Sequence, residues 1–150
     1  MSIFTEQEAK ALLDKVLALS KADECTVSLS GSVDGNIRFA LNNISTSGIV
    51  SNADLAVQSS FGKRVGTATI NEFDDAALER VVRRAEELAR LAPENPEFMP
   101  AVEKQEYKPS QTFSESTAAI SPEDRAQVAV DSIDPCRAEK LIAAGFLEDG

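Results

Sequence analysis

The sequence predicts an α+β fold: an antiparallel meander of about five strands covered on one face by two helices, followed by a Pro-rich linker and a short helical C-terminal segment. Three observations lead there. Apolar residues recur at helical spacing over 9–17 and again over 78–92. Between those stretches the period falls to two, in short runs separated by Gly, Asn and Asp. From residue 93 the periodicity gives way to proline, glutamate and hydroxyl side chains.

Thr5 with Glu8 three residues later is a capping box, and Ala9, Leu12, Leu13, Val16 and Leu17 behind it predict a one-sided helix to about Ser20. Cys25, Val27 and Leu29 then alternate with Thr26, Ser28 and Ser30, a strand expected to end at Gly31. After the turn-rich Ser32-Val33-Asp34-Gly35, alternation resumes with Ile37, Phe39 and Leu41. Asn42-Asn43 offers the next tight turn, because Asn tolerates positive φ. A third strand covers about Ile44–Val50, with Ser51-Asn52 reversing the chain. Leu55, Val57 and Phe61 mark the fourth strand, Gly62-Lys63 a turn, and Arg64–Ile70 the fifth. Clean alternation leaves one sheet face covered and the other wet or facing a partner.

Asp74 caps a helix whose stripe is Leu78, Val81, Val82, Ala85, Leu88, Ala89 and Ala92, stopped by Pro93. Burying about five large side chains at roughly 1.5–3 kcal/mol each makes it a main contributor to the core. Residues 1–92 are therefore expected to form an N-terminal α+β domain. Residues 93–120, with Pro93, Pro96, Pro100 and Pro109, read as a linker or extended arm. Structure restarts at Ser121-Pro122, a cap followed by proline in the first helical position. Asp134-Pro135 should restart the helix, and Gly145 should cap it after Leu141, Ile142 and Ala143. A helical pair of this size has little apolar surface, so 121–150 is read as the start of a second, truncated domain.

With 43% hydrophobic residues the chain can bury a real core, which argues against disorder throughout. Residues 93–150 carry five Lys/Arg against twelve Asp/Glu, so most of the net charge of −10 lies there. That field disfavours nucleic acid and anionic membrane as partners. Arg80, Arg83, Arg84 and Arg90 interleave with Glu79, Glu86 and Glu87, which reads as a solvated, ion-paired helix face. No run approaches the roughly 20 apolar residues of a membrane span, and Met1–Glu6 lacks the basic start of a signal peptide. A cytoplasmic protein with two reduced thiols is the simplest reading.

No catalytic or metal constellation emerges. There is no histidine, and Cys25 and Cys136 have neither ligand spacing nor a base nearby in sequence. Cys25 shares parity with Val27 and Leu29 and reads as a structural thiol. Cys136 follows a helix-starting proline, where a dipole could activate it, but a partly exposed thiol is the simpler description. Asp74/Asp75 and Glu123/Asp124 stand at helix starts and are better explained as caps than as an acid–base pair. Gly48, Gly62 and Gly66 build no phosphate-cradling loop. The one candidate surface is the polar sheet face carrying Arg38, Asn42 and Arg64. It could be ordinary surface, or a docking or substrate-facing site for another domain, a partner subunit or an extended peptide.

The run Asn36–Ile44, then Leu55-Ala56-Val57 and Phe61–Asn71, the helix 74–92 and Pro-Glu-Asn-Pro at 93–96 together resemble the N-terminal region of the TldD/PmbA family. The resemblance covers roughly 20–100, with weaker similarity over 121–147. It implies membership of a group of intracellular zinc-dependent peptidases, some called modulators of DNA gyrase, about three times this length. Their metal motif, His-Glu-x-x-x-His with a later Cys, lies in a C-terminal domain. No residue here can receive those ligands. The resemblance implies no cofactor in this chain and zinc in a missing C-terminal domain. It also implies that the segment is catalytically silent alone and shapes the substrate cavity and subunit contacts. Its partners would be its own C-terminal domain, a second subunit (homodimer or paralogue) and a peptide substrate. The alternative from the residues alone is an autonomous acidic interaction module using the sheet face or Pro-rich arm.

Overall fold

The computed structural model describes residues 3–110 and 113–150, so Met1 and Ser2 of the N-terminal reading and residues 111–112 of the arm lie outside the described residues. The elements are α1 (Glu6–Leu19), β1 (Glu24–Ala40), β2 (Asn43–Phe61), β3 (Arg64–Ile70), α2 (Asp75–Leu91), α3 (Glu115–Ala118), α4 (Pro122–Ala138) and β4 (Gly145–Asp149). The strands form one sheet in the order β3-β2-β1-β4, with β3 antiparallel to β2 and β4 antiparallel to β1. The class is the expected α+β.

The strand count differs from the expected five. Gly31–Gly35 and Ser51-Asn52 do not turn: β1 runs 17 residues and β2 19 residues straight through them. Serine and asparagine there are exposed strand residues, and their turn propensity yields to pairing along the sheet. The hairpin turn also falls one residue early, at Leu41-Asn42, with φ of 51° and 60°. A two-residue hairpin of this hand needs positive φ at both central residues. For leucine that backbone costs about 1–2 kcal/mol. Leu41 therefore leaves the core row in which it was placed and is 70% exposed.

The C-terminal segment is not purely helical. The helix does not restart at Asp134-Pro135, because Pro135 lies inside a continuous α4. The left-handed residue after the helix is Lys140, at φ 56°, rather than Gly145. Leu141–Ala143 are irregular, and Gly145–Asp149 pair as β4 with Phe39–Gly35 of β1. Local patterning could not reveal that pairing, since the partner lies about a hundred residues earlier.

The chain resolves into two compact units. The large unit comprises Phe4–Gly31 and Asn52–Pro109. Its core joins Val16 of α1, Leu55 and Val57 of β2, and Leu78, Val81, Val82 and Ala85 of α2. Cys25, Val27 and Leu29 of β1 and Ala68 and Ile70 of β3 pack against that cluster, as their alternation predicts. Both helices begin as expected: Thr5 and Glu8 form a reciprocal capping box, and the Asp74 carboxylate accepts the Ala77 N–H at 3.0 Å. At Gly66 an added Cβ would lie 2.2 Å from the Ala89 nitrogen and 2.5 Å from the Ala85 oxygen, so only glycine lets β3 approach α2 so closely.

Among the described residues the small unit comprises Ile3, Ser32–Ser51, Ser110 and 113–150. Ser121 and Asp124 form its capping box, with Pro122 opening α4. The buried face of α4 is Arg125, Ala129 and Ile133, one turn apart, and Ile37 and Ala143 are the other buried apolar residues of this unit.

Candidate functional site

The three polar sheet residues do not fall in one unit. Arg38 and Asn42 belong to the small unit and Arg64 to the large one. Arg38 is exposed on β1, with its guanidinium carbon 5.1 Å from the centroid of Phe146, its cross-strand partner on β4. Arg64 is exposed on β3. It donates to the Arg90 carbonyl at 3.3 Å and has Glu94 at 3.9 Å. Exposed contacts of this kind contribute little to stability.

Asn42 is committed locally. Its Nδ2 donates to the Leu141 carbonyl at 2.9 Å, and its Oδ1 accepts the Ala143 N–H at 2.6 Å. Its backbone N–H reaches the Ala143 carbonyl at 3.3 Å, and its own carbonyl accepts from Arg137 Nη2 at 2.8 Å. Asn42 is thus the clasp between the hairpin turn and the segment after α4.

Two buried charges escaped the sequence reading. Glu86 is 1% exposed, not part of a solvated face. Its carboxylate accepts the Lys21 N–H at 2.6 Å and Arg83 Nη1 at 2.5 Å, while Arg83 Nη2 donates to the Leu19 carbonyl. The pair satisfies the orphaned backbone groups where α1 ends, a capping role carried out from another helix. The signal was present: Glu86 lies four residues after Val82 and three before Ala89, on the apolar stripe.

Arg125 is 2% exposed. Its Nη1 donates to both oxygens of Asp149 at 3.0 and 2.9 Å and to the Ile120 carbonyl at 3.4 Å, which ties β4 to the start of α4. Gly35 makes room for the guanidinium: a Cβ there would lie 2.1 Å from Nη1. An arginine spaced i, i+4, i+8 with Ala129 and Ile133 was the legible hint.

A cavity of about 110 Å³ lies in the large unit between the sheet face opposite the core and the arm. Glu24, Thr26, Gln58 and Ser60 form its polar wall, Val65, Phe98 and Met99 its apolar wall. The arm is held there by the Ala101 N–H on Glu24 at 3.1 Å and the Asn95 N–H on the Lys63 carbonyl at 2.9 Å. The Glu24 carboxylate is engaged by that strap. The Ser60 hydroxyl is shielded and makes no hydrogen bond among the described residues.

Zinc does not fit the described residues. They contain no group of three His, Cys, Asp or Glu able to hold a metal, and Cys25 and Cys136 belong to different units. Among the same residues no helix is long and apolar enough to cross a membrane.

Residues 25–89 match the family described as PmbA/TldA metallopeptidase domain 1. No curated protein matches the chain. Among solved structures, TldE from Thermococcus kodakarensis is similar at a TM-score of 0.75 and 19% identity, over 93% of this chain and 32% of that one. A candidate DNA gyrase modulator from Thermotoga maritima gives 0.67 and 12%, over 93% and 37%. Another from Bacteroides thetaiotaomicron gives 0.64 and 15%, over 96% and 39%. At these identities the structures establish a shared fold, and the chain spans about a third of the length of each. The matched segment falls on β1, β2, β3 and α2, and it is there that this chain is similar to the first domain of the PmbA/TldA metallopeptidases.

Proposed function

We propose that this chain is the non-catalytic N-terminal domain of a TldD/PmbA-like zinc-dependent peptidase of the cytoplasm. It shapes the substrate cavity and the subunit contacts while zinc and peptide hydrolysis belong to a later domain of a longer protein. One observation carries the reading. The fold of nearly the whole chain recurs in about a third of each larger solved chain, and the matched family segment is by description a first domain of metallopeptidases. The chemistry of the described residues agrees with it, because the buried charges Glu86 and Arg125 make ion pairs that tie elements together. Arg38 and Arg64, exposed and weakly held, are the residues suited to face another domain, a subunit (homodimer or paralogue) or a peptide.

The test is peptide hydrolysis by the longer polypeptide that carries this sequence, with zinc supplied, beside the 150-residue chain alone. The longer protein should cleave and the chain should not. Charge reversal at Arg38 and Arg64 should lower the activity of the longer protein while the chain still folds. Hydrolysis by the chain alone, or a longer protein indifferent to both reversals, would remove the reading.

A further inference from the structure

The tip of the small unit presents three aliphatic side chains on two segments that Asn42 clasps together: Leu41 at 70%, Leu141 at 61% and Ile142 at 69% exposure. Single exposed aliphatics are ordinary, but three on one pinned tip form a patch. The tip is rigid. Four hydrogen bonds converge on Asn42, and Arg137, which supplies one of them, is itself held by Asp134 at 2.7 Å.

Leu41 carries a second anomaly. A turn with positive φ at its first central residue favours Gly, Asn or Asp, yet a large apolar residue sits there with its side chain in water. Backbone and side chain are both unfavourably placed within the chain itself. An outlier of that kind points to a contact made elsewhere.

We propose that Leu41, Leu141 and Ile142 form a docking knob that inserts into an apolar pocket on the remainder of the longer family polypeptide. This rests on the reading of the chain as an N-terminal domain. The occupant follows from size and charge. The solved chains that share this fold extend well beyond the matched third, which supplies a covering surface within the same molecule. A second copy would bring another net charge of −10 and meet repulsion on approach.

The test uses the double variant Leu41→Asn/Ile142→Ser, read by thermal unfolding in the 150-residue chain and in the longer polypeptide. Asparagine is at home in the turn, so the 150-residue chain should keep or raise its midpoint. The longer polypeptide should lose at least about 2 °C. An unchanged midpoint in the longer polypeptide would overturn the proposal, and so would an equal loss in the 150-residue chain, which would make the tip structural. If sedimentation shows a dimer of the 150-residue chain that the variant dissolves, the occupant is a second copy and the proposal falls. Peptide hydrolysis is not the readout: a longer polypeptide that cleaves nothing would sink the proposed function and leave the melting comparison to decide the knob.

Discussion

The large unit closes over a continuous aliphatic cluster in which α1, α2 and three strands each supply side chains, whereas the small unit buries Ile37, Ala129, Ile133 and Ala143 beside an Arg125–Asp149 pair. One interior is built by the area of apolar surface removed from water, which is tolerant in detail because many contacts share the load. The other depends on a charge pair whose desolvation is offset only while both partners are present. The difference teaches where each unit is vulnerable. In the large unit volume decides, and in the small unit a single interaction decides.

The largest effect expected from that contrast is at Arg125. Arg125→Met leaves the Asp149 carboxylate, whose side chain is 14% exposed, without its cation, and should destabilise by about 3–5 kcal/mol in denaturant unfolding. Adding Asp149→Leu should recover most of the loss. If the double variant is as unstable as the single one, the pair is not what holds β4. In the large unit Leu78→Ala should cost about 2–5 kcal/mol through the cavity it opens, and no second substitution of a charged residue should rescue it.

Glycine positions sharpen the contrast. Gly66→Ala drives a Cβ into the backbone of α2, so β3 and α2 must separate, at about 1–3 kcal/mol. Gly35→Ala meets only the end of the Arg125 side chain, and its cost should largely vanish in an Arg125→Met background. Equal costs for Gly35→Ala in both backgrounds would show that the guanidinium is not the obstacle.

The arm gives a smaller effect. Residues 95–101 are strapped down by Asn95 and Ala101, while Lys104 and Lys108 lie beyond the strap and exposed. Brief trypsin treatment should cut at Lys104 and spare Lys63, since Pro109 blocks cleavage after Lys108. First cleavage at Lys63 would mean that the β2–β3 turn, rather than the arm, is the weak point.

The smallest effect is acid titration, which treats the two units alike. The Thr5 backbone N–H, and then its hydroxyl, hold the Glu8 carboxyl below its ordinary range. The Ser121 N–H and hydroxyl do the same for Asp124. A carboxyl whose folded pKa is depressed contributes stability above its unfolded pKa and loses it as pH falls through the folded value. Each capping box should therefore weaken below the ordinary carboxylate range. Glu8→Gln and Asp124→Asn should each flatten the acid limb of the stability profile slightly, and a profile unaltered by both would contradict the caps.

The elements most legible in the sequence were those whose signals are local. Thr5/Glu8, Asp74 and Ser121/Pro122 announce helix starts, and the stripe from Leu78 to Ala89 appears as read. The failures were positions where a distant partner overrides local preference. Ser32–Asp34 and Ser51-Asn52 carry turn residues, yet sheet pairing keeps β1 and β2 extended. Phe146-Leu147 is too short a run to announce a strand, and its pairing with Ile37-Arg38 is visible only in three dimensions. The hairpin slipped by one residue because Asn42 serves the segment 141–143 as well as the turn. Of the polar face, Arg38 and Arg64 stand exposed as read, and the clasp role of Asn42 could not be seen without Leu141 beside it.

The proposed function makes this chain a domain without catalytic equipment of its own, with zinc chemistry carried elsewhere. Elemental analysis of the purified 150-residue chain, after equilibration with zinc and dialysis, tests that most directly. The account predicts no stoichiometric zinc. One tightly held zinc per chain would contradict it.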